Sequence, residues 1–242
     1  MKIILLLLAT FLFAPAAHIA MAQTGNNGNT LQEELDSLRT LFDSQTPPEL
    51  MAIIDNAFVE MRESRITETA LNVGDKAIDF TLENPAGKKV TLAEYLEKGP
   101  VILMWYRGGW CPYCNMTLHR MQEYLQAFKE AGANLIALTP ETPDNSLTTA
   151  EKHALEFEVL TDTDNEVGKQ YGVVYKVNKE LVDYTKPFVD LSQYNGNDKN
   201  ELPLSATYII GQDGIIKYAF LDVDYKKRAE PSVLLQELET IK

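Results

Sequence analysis

The stretch VILMWYRGGWCPYCNMTLHRM, residues 101–121, most constrains how this chain can fold. Residues 100–106 form a nearly continuous apolar run, which is typical of a strand buried at the centre of a sheet. A helix is predicted to begin at Pro112, because proline suits the first helical position. The only two cysteines of the chain, Cys111 and Cys114, lie at this junction. The pattern predicts an α/β core that presents two thiols where a strand passes into a helix.

The rest of the chain alternates short strands with helices. Strands are predicted at residues 78–82, 89–92, 100–106, 134–138, 158–160, 207–210 and 215–220. Helices are predicted at residues 93–97, 112–131, 143–155, 166–171 and 231–241. Polar residues 173–201 are predicted to form an irregular loop, and Gln212-Asp213-Gly214 predicts a hairpin turn. This alternation predicts a mixed central sheet flanked by helices.

Two amphipathic helices are predicted before this core. The apolar positions of the first recur at spacings of three and four: Leu31, Leu35, Leu38, Leu41 and Phe42. The second is predicted to begin at Thr46-Pro47-Pro48-Glu49, with Thr46 as the cap, Pro47 at the first position and Glu49 completing a capping box. Their apolar faces need burial, either by docking onto the main domain or by contact in a homodimer.

The first 22 residues have the pattern of a cleaved secretory signal. Lys2 precedes an apolar run that ends near Phe13, and Ala20-Met21-Ala22 supplies small residues for cleavage. Pro15 interrupts the apolar stretch, whereas a membrane span needs about 20 continuous apolar residues. We expect an exported protein, periplasmic or extracellular after cleavage, with a linker and the two helices at residues 23–72.

Charge and cysteine content exclude several function classes. A formal net charge of −13 argues against nucleic acid and anionic membranes as partners. The one basic cluster, Lys226-Lys227-Arg228, is short and is predicted to be a solvated turn. Two cysteines cannot build a disulfide-rich scaffold, and they supply only half of a usual structural zinc site. No metal or other cofactor is predicted.

The position of the cysteines predicts a reactive dithiol. Cys111 is expected at the helix N-cap, where free N–H groups and the helix dipole stabilise a thiolate. Arg107 adds positive charge, so we expect a lowered pKa and assign Cys111 as the nucleophile. Cys114 lies one turn further along, placed to close a disulfide with Cys111. The alternative is an inert pair or a static disulfide, although a bridge across so short a loop stabilises little.

Three neighbours are predicted to support the dithiol. Trp110 directly precedes Cys111 and is expected to wall one side of the site. Pro112 has no N–H to donate to the Cys111 sulfur, and Tyr113 presents an aromatic face nearby. His119 is compatible with a Cys–His catalytic pair or with an ordinary surface histidine, and the surface role is favoured.

Three segments resemble one protein family. VGDKAIDFTLENPAGKKVTLAEYL, YRGGWCPYC and LPLSATYIIGQDGIIKYAFLDVDYKKRAEP are similar to peroxiredoxin-like proteins of the alkyl hydroperoxide reductase and thiol-specific antioxidant family, within the thioredoxin superfamily. The resemblance implies a thioredoxin-like domain over residues 73–242. It also implies an enzyme in which Cys111 attacks a hydroperoxide and becomes a sulfenic acid, and Cys114 then forms the Cys111–Cys114 disulfide. A thioredoxin-like or other dithiol would reduce that disulfide.

Two positions depart from the family pattern. Peroxiredoxins usually carry threonine or serine three residues before the reactive cysteine, where this chain has Gly108. They also usually carry an arginine just before the first hairpin strand, where this chain has Ser205. Arg107 and backbone N–H groups at the helix start remain as donors for the charge that develops on the peroxide.

A thioredoxin-like thiol-disulfide oxidoreductase acting on exported proteins is the main alternative. Pro112-Tyr113 is the dipeptide found between the cysteines of glutaredoxins, which favours this function. Those enzymes, however, place a cis-proline where this chain has Ser205, and Pro203 lies two residues early. A third alternative is a non-enzymatic module that senses oxidation of Cys111.

Overall fold

The computed structural model describes residues 29–241. The predicted signal peptide at residues 1–22, and the linker up to residue 28, lie outside the described residues. Across the described range, no helix is both long enough and apolar enough to cross a membrane.

A seven-stranded mixed sheet forms the centre of the molecule, with strand order β2-β1-β5-β4-β3-β8-β9. A separate pair, β6 and β7, lies outside it. The strands are β1 Thr81–Glu83, β2 Lys89–Thr91, β3 Val101–Trp105, β4 Asn134–Thr139, β5 Glu158–Thr161, β6 Val174–Lys176, β7 Glu201–Pro203, β8 Thr207–Ile210 and β9 Ile216–Phe220. β3, β4 and β5 run parallel, whereas β8 runs antiparallel to β3 and β9 to β8. The predicted mixed sheet is confirmed.

Helices cover both faces of this sheet. They are α1 Leu31–Gln45, α2 Pro48–Glu63, α3 Ile66–Thr69, α4 Leu92–Leu96, α5 Pro112–Glu130, α6 Pro143–Lys152, α7 Glu166–Gln170, α8 Lys179–Thr185, α9 Leu191–Asn195 and α10 Pro231–Thr240, with a 3-10 turn at Thr163–Asn165. The predicted strands and main-domain helices are present, with ends that differ by at most three residues.

Strand β3 divides the core into two layers. Its side chains alternate between the faces of the sheet, as the period of a strand requires. Ile102 and Met104 pack into the cluster that contains α1, α5 and α10. Leu103 and Trp105 pack into the opposite cluster, which contains α7 and β8. Because both faces of β3 are covered, its sequence is a continuous apolar run.

The N-terminal helices dock onto the main domain. Leu31 and Leu35 are buried in the same cluster as Met121 of α5. Helix α2 buries Phe58, whose ring stacks on Tyr225 at 5.8 Å between centroids. The docking prediction is therefore confirmed, and the homodimer stays a prediction.

The predicted capping box at Thr46-Pro47-Pro48-Glu49 is wrong. Helix α2 begins at Pro48 with Pro47 as its N-cap, and no side chain caps it. Thr46 instead ends α1, because its N–H and its hydroxyl both donate to the carbonyl of Phe42. A true capping box lies at the start of α1, between Thr30 and Glu33.

The prediction of an irregular loop at residues 173–201 is also wrong. This segment contains β6, α8, α9 and the first residue of β7, and β6 pairs antiparallel with β7. Asn178 caps α8 and Asp190 caps α9 through their side-chain oxygens. The elements are too short to show a hydrophobic period, and they share only a small apolar cluster that includes Leu191 and Leu202.

Candidate active site

The dithiol lies at the carboxyl end of β3, at the predicted strand-to-helix junction. Cys111 is the N-cap of α5, and Pro112 occupies the first helical position. The Cys111 N–H donates to the carbonyl of Gly108 at 3.1 Å, which closes the turn before the helix. Both cysteines are free thiols, 1% (Cys111) and 0% (Cys114) exposed. The predicted location of the pair is confirmed.

Arg228 reaches the dithiol from the loop after β9. Its Nη2 lies 3.4 Å from the Sγ of Cys114, and its Nη1 donates to the hydroxyl of Ser205 at 2.6 Å. Nη1 also donates to the carbonyl oxygens of Tyr225 and Lys227. Ser205, where the family pattern has an arginine, thus accepts a hydrogen bond from an arginine 23 residues later.

The prediction that Lys226-Lys227-Arg228 is a solvated turn is wrong for two of its three residues. Lys226 and Arg228 are buried, whereas Lys227 is exposed and pairs with Asp222 at 3.4 Å. Strand β9 runs antiparallel to β8, so the loop that follows β9 returns to the sheet edge where β8 begins and β3 ends. That topology brings Arg228 to Cys114. The sequence feature that could have indicated this role is the run of three basic residues that follows the predicted strand at residues 215–220.

Arg107 lies among the aromatic side chains of the site. Its guanidinium carbon is 5.0 Å from the ring centroid of Trp110 and 4.3 Å from that of Tyr225. The Nε of Arg107 is buried without a hydrogen-bond partner. The predicted positive charge near the dithiol is therefore present, and the Arg107 guanidinium is positioned by cation–π contacts with the rings of Trp110 and Tyr225.

The two thiols influence each other's ionisation, since each has the other as a hydrogen-bond partner. Burial raises the pKa of Cys111 well above its ordinary value, and the hydrogen bond between its thiol and Cys114 raises it further. Burial opposes ionisation of Cys114 as well. The hydrogen bond from Cys111 and the charges of Arg228 and Arg107 nevertheless lower the pKa of Cys114 to about 5. The prediction of a lowered pKa at Cys111 is wrong for this reduced state, because burial and the hydrogen bond with Cys114 raise the pKa of Cys111, and the lowered pKa is that of Cys114.

Glu141 is a buried carboxyl near the dithiol that no sequence pattern predicted. It follows β4, which runs parallel to β3 and so ends at the same edge of the sheet. Its Oε1 accepts a hydrogen bond from the Gly109 N–H at 3.0 Å, and its Oε2 has no partner. Burial raises the pKa of Glu141 to about 7, opposed by the Gly109 N–H and reinforced by Cys114.

Gly108 has a structural reason to lack a side chain. Its φ is +146°, and a Cβ there would lie 2.4 Å from the Nε1 of Trp110 and 2.9 Å from the Oε1 of Glu141. The threonine or serine of the family pattern therefore cannot fit with Trp110 and Glu141 in these positions. The Trp110 Nε1 is itself a buried donor without a partner.

A cavity of about 510 Å³ opens over Cys111. Trp110, Pro112 and Tyr113 are among the residues that line it, as is Cys111 itself. Tyr113 is buried and meets the ring of Tyr225 edge-on at 5.6 Å. Helices α1 and α2 also line the cavity, with residues that include Phe42, Leu50 and Ile54. Cys114 does not line the cavity, so the structure brings Cys111 alone to its surface.

His119 is not brought to the site. Its side chain is mostly exposed and lies 3.4 Å from Glu123, one turn along α5. The surface alternative for His119 is confirmed.

Comparison with known proteins assigns the chain to a family. The AhpC/TSA family model matches residues 73–219. The chain is 30% identical to the thiol-disulfide oxidoreductase ResA of Bacillus thuringiensis over 117 residues, 48% of this chain and 66% of ResA. It is 29% identical to the chloroplastic peroxiredoxin Q of Populus jackii over 103 residues, 43% of this chain and 48% of that protein. The match thus spans under two thirds of each relative.

The fold has solved counterparts. The crystal structure of peroxidoxin BcpB from Mycobacterium tuberculosis superposes with a TM-score of 0.56 at 20% identity, covering 71% of this chain and 99% of BcpB. This likeness supports the predicted thioredoxin-like fold.

Proposed function

This chain belongs to the AhpC/TSA family, and we propose that within the family it is a thiol-dependent peroxidase that reduces hydroperoxides at Cys111. One observation carries the proposal: Arg228 donates to Ser205 and lies 3.4 Å from the sulfur of Cys114. The guanidinium missing at position 205 is thereby supplied from position 228. A fixed positive charge at the dithiol stabilises the anionic character that develops as an O–O bond breaks.

The proposed first step oxidises Cys111. The Cys111 sulfur attacks the terminal oxygen of a hydroperoxide, the S–O bond forms and the O–O bond breaks. The proton of the Cys111 thiol passes to the departing alkoxide, which leaves as an alcohol, or as water when the substrate is hydrogen peroxide. Because Cys114 accepts the hydrogen bond of Cys111, it is placed to move that proton during the attack.

The second step forms the Cys111–Cys114 disulfide. The Cys114 thiolate attacks the sulfur of the Cys111 sulfenic acid, and the leaving hydroxide takes a proton from solvent to become water. A thioredoxin-like dithiol then supplies two electrons and two protons to restore both thiols. The helix positions of Cys111 and Cys114, three residues apart, support this closure.

We also propose that the enzyme is exported. The motivation is the secretory pattern of residues 1–22, which predicts a mature chain that begins at Gln23. The intact mass of the protein recovered from the periplasm or the medium tests this directly. A mass that still includes residues 1–22 would contradict export by cleavage.

Substituting each cysteine separates the two steps. Cys111→Ser should abolish peroxide consumption, because no thiol remains at the cavity. Cys114→Ser should consume one equivalent of peroxide to form the Cys111 sulfenic acid and then fail to turn over, and excess peroxide should over-oxidise Cys111 to a product detected by mass spectrometry. Normal peroxide turnover by Cys111→Ser would exclude the proposal.

A thiol-disulfide oxidoreductase of exported proteins is the second proposed function. The similarity to ResA and the absence of a hydroxyl side chain at Gly108 favour it. The same dithiol would then exchange electrons with a protein disulfide through a mixed disulfide at Cys111. Trapping with Cys114→Ser distinguishes the two, since an oxidoreductase accumulates a mixed disulfide with its substrate and a peroxidase accumulates oxidised Cys111.

A further inference from the structure

Two buried cations line the cavity over Cys111 without a carboxylate partner. Arg107 is 9% exposed and Lys226 is 8% exposed. In the part of the chain that the structure describes, neither side chain lies within ion-pair distance of a carboxylate. The Nζ of Lys226 lies over ring faces instead, 5.5 Å from the centroid of Phe58 and 5.9 Å from that of Tyr225.

Arg107 also lies near the dithiol, where its charge favours the Cys114 thiolate. The two cations therefore have at most one anion nearby, and the arrangement is unfavourable while the cavity holds no second anion. A buried charge costs free energy unless it is paired, and aromatic faces offset only part of that cost. Arg107 and Lys226 also repel each other across one cavity. An anion placed between them would remove both penalties, so the pair marks a binding site for a negatively charged group.

The remaining acidic group at the cavity does not neutralise these cations. Asp43 is the one carboxylate among the lining residues, and it lies at the exposed edge of α1 in an ion pair with Arg39 at 3.3 Å. The interior of the cavity is therefore positive, in a chain whose formal net charge is −13.

The rest of the lining is apolar. Side chains from α1, α2 and the segment from β6 to β7 face the cavity: Phe42, Leu50, Met51, Ile54, Leu181 and Leu202. A volume of about 510 Å³ is in the range of pockets that enclose whole organic ligands, and it far exceeds what hydrogen peroxide needs.

We propose that this cavity binds an anionic amphiphile, a carboxylic acid whose head lies between Arg107 and Lys226 and whose apolar chain packs against α1 and α2. The inference deepens the proposed function, because the preferred substrate becomes a hydroperoxide of such an acid. Binding of the unoxidised acid needs no peroxidase chemistry and can be measured separately.

The test titrates the reduced, mature wild-type protein with dodecanoate and with its methyl ester. Binding is followed by calorimetry and by fluorescence, since Trp110 lines the cavity. We expect dodecanoate to bind about tenfold or more tightly than the uncharged ester, because a charge-assisted contact is lost in the ester. Equal affinities, or no binding of dodecanoate, would overturn the proposal.

Variants of neighbouring lysines supply the matched control. Lys226→Met should weaken dodecanoate about tenfold and leave the ester unchanged, whereas Lys227→Met, at an exposed lysine paired with Asp222, should change neither. Lys226→Arg should restore binding of dodecanoate. If Lys226→Met fails to fold, two measurements still test the site: binding of dodecanoate by Lys226→Arg, and the affinity of the wild-type protein for dodecanoate compared with its methyl ester. A Lys226→Met protein that binds dodecanoate normally would rule out this site.

Rates with different hydroperoxides distinguish the proposed acid-binding site from the proposed peroxidase activity. Wild-type protein should react faster with a long-chain fatty acid hydroperoxide than with its methyl ester, and Lys226→Met should remove that preference. If dodecanoate binds as expected and neither hydroperoxide nor hydrogen peroxide is reduced, the cavity assignment stands and the peroxidase proposal fails. If peroxides are reduced and dodecanoate does not bind, the cavity assignment alone fails.

Discussion

At the scale of single residues, the state of the dithiol depends on groups far from it in sequence. Arg228 lies beside the Cys114 sulfur, and Glu141 holds the turn before Cys111 through the Gly109 N–H. The guanidinium favours a thiolate at Cys114, whereas burial favours a neutral carboxyl at Glu141. Each residue can be changed without altering either cysteine, which makes its contribution measurable.

Replacing Arg228 should weaken the thiolate and slow the peroxide step. In Arg228→Met the pKa of Cys114, about 5 in the wild type, should rise toward the ordinary thiol range because a neighbouring positive charge is lost. Oxidation by hydrogen peroxide at neutral pH should slow about 100-fold. Thiolate absorbance as a function of pH and stopped-flow rates measure the two effects. An unchanged titration curve would contradict the role given to Arg228, and Lys227→Met serves as the control.

Replacing Glu141 should change how stability depends on pH. Burial raises the pKa of Glu141 from 4.5 to about 7, so the folded protein keeps a proton that the unfolded chain has already lost. Stability therefore falls as the pH rises across that interval. Glu141→Gln stays neutral and should gain up to about 3 kcal/mol relative to wild type between about pH 5 and about pH 8. Urea denaturation at both pH values measures the difference, and identical pH profiles would contradict the assignment.

The sequence predicted the thiols and missed these partners for a physical reason. The positions of Cys111 and Cys114 follow from a local pattern, an apolar strand followed by a proline at a helix start. Arg228 and Glu141 reach the dithiol only because β9 and β4 end at the same edge of the sheet as β3. A local sequence pattern does not determine the order of strands in a sheet. The spacing of residues along the chain therefore could not predict that Arg228 and Glu141 lie near the dithiol.

At the scale of elements, the N-terminal helices are part of the site. Helix α2 contributes Leu50 and Ile54 to the cavity and anchors itself by Phe58 on Tyr225. Tyr225 in turn packs against Tyr113 and Arg107. The apolar stripe that predicted an amphipathic helix therefore covers the active site as well as the core.

Removing the Phe58 ring should loosen this attachment. Phe58 is 7% exposed, so Phe58→Ala should lower the free energy of unfolding by about 3–5 kcal/mol through lost burial and a residual void. Its neighbour Val59 is 43% exposed, and Val59→Ala should change stability by less than about 0.5 kcal/mol. Chemical denaturation compares the two. Equal losses in both variants would show that α2 is not anchored through Phe58.

The elements that the sequence missed share one property. Helices α8 and α9 have seven and five residues, and strands β6 and β7 have three each. Segments of that length carry too few apolar positions to establish a period. The recognisable sequence features of the two helices are their N-cap residues, Asn178 and Asp190. An N-cap residue indicates where a helix begins and does not predict its length.

At the scale of the whole molecule, charge is separated between surface and site. The chain carries a formal net charge of −13, yet Arg107, Lys226 and Arg228 are buried around one cavity and its dithiol. The acidic composition carries no information about these buried cations, because net charge governs solubility and long-range attraction to partners. The mixed sheet was predictable as a whole, since alternating strands and helices restrict the possible architectures to a few.

The central claim is that Cys111 is a peroxidatic thiol although Gly108 and Ser205 depart from the family pattern. The most direct measurement mixes the fully reduced protein with hydrogen peroxide and follows tryptophan fluorescence by stopped flow. Trp105 and Trp110 are the only tryptophans, and both lie within six residues of Cys111. We expect oxidation many orders of magnitude faster than that of a free thiol. A rate close to the free-thiol value, together with rapid oxidation by a protein disulfide, would contradict the claim and favour the oxidoreductase.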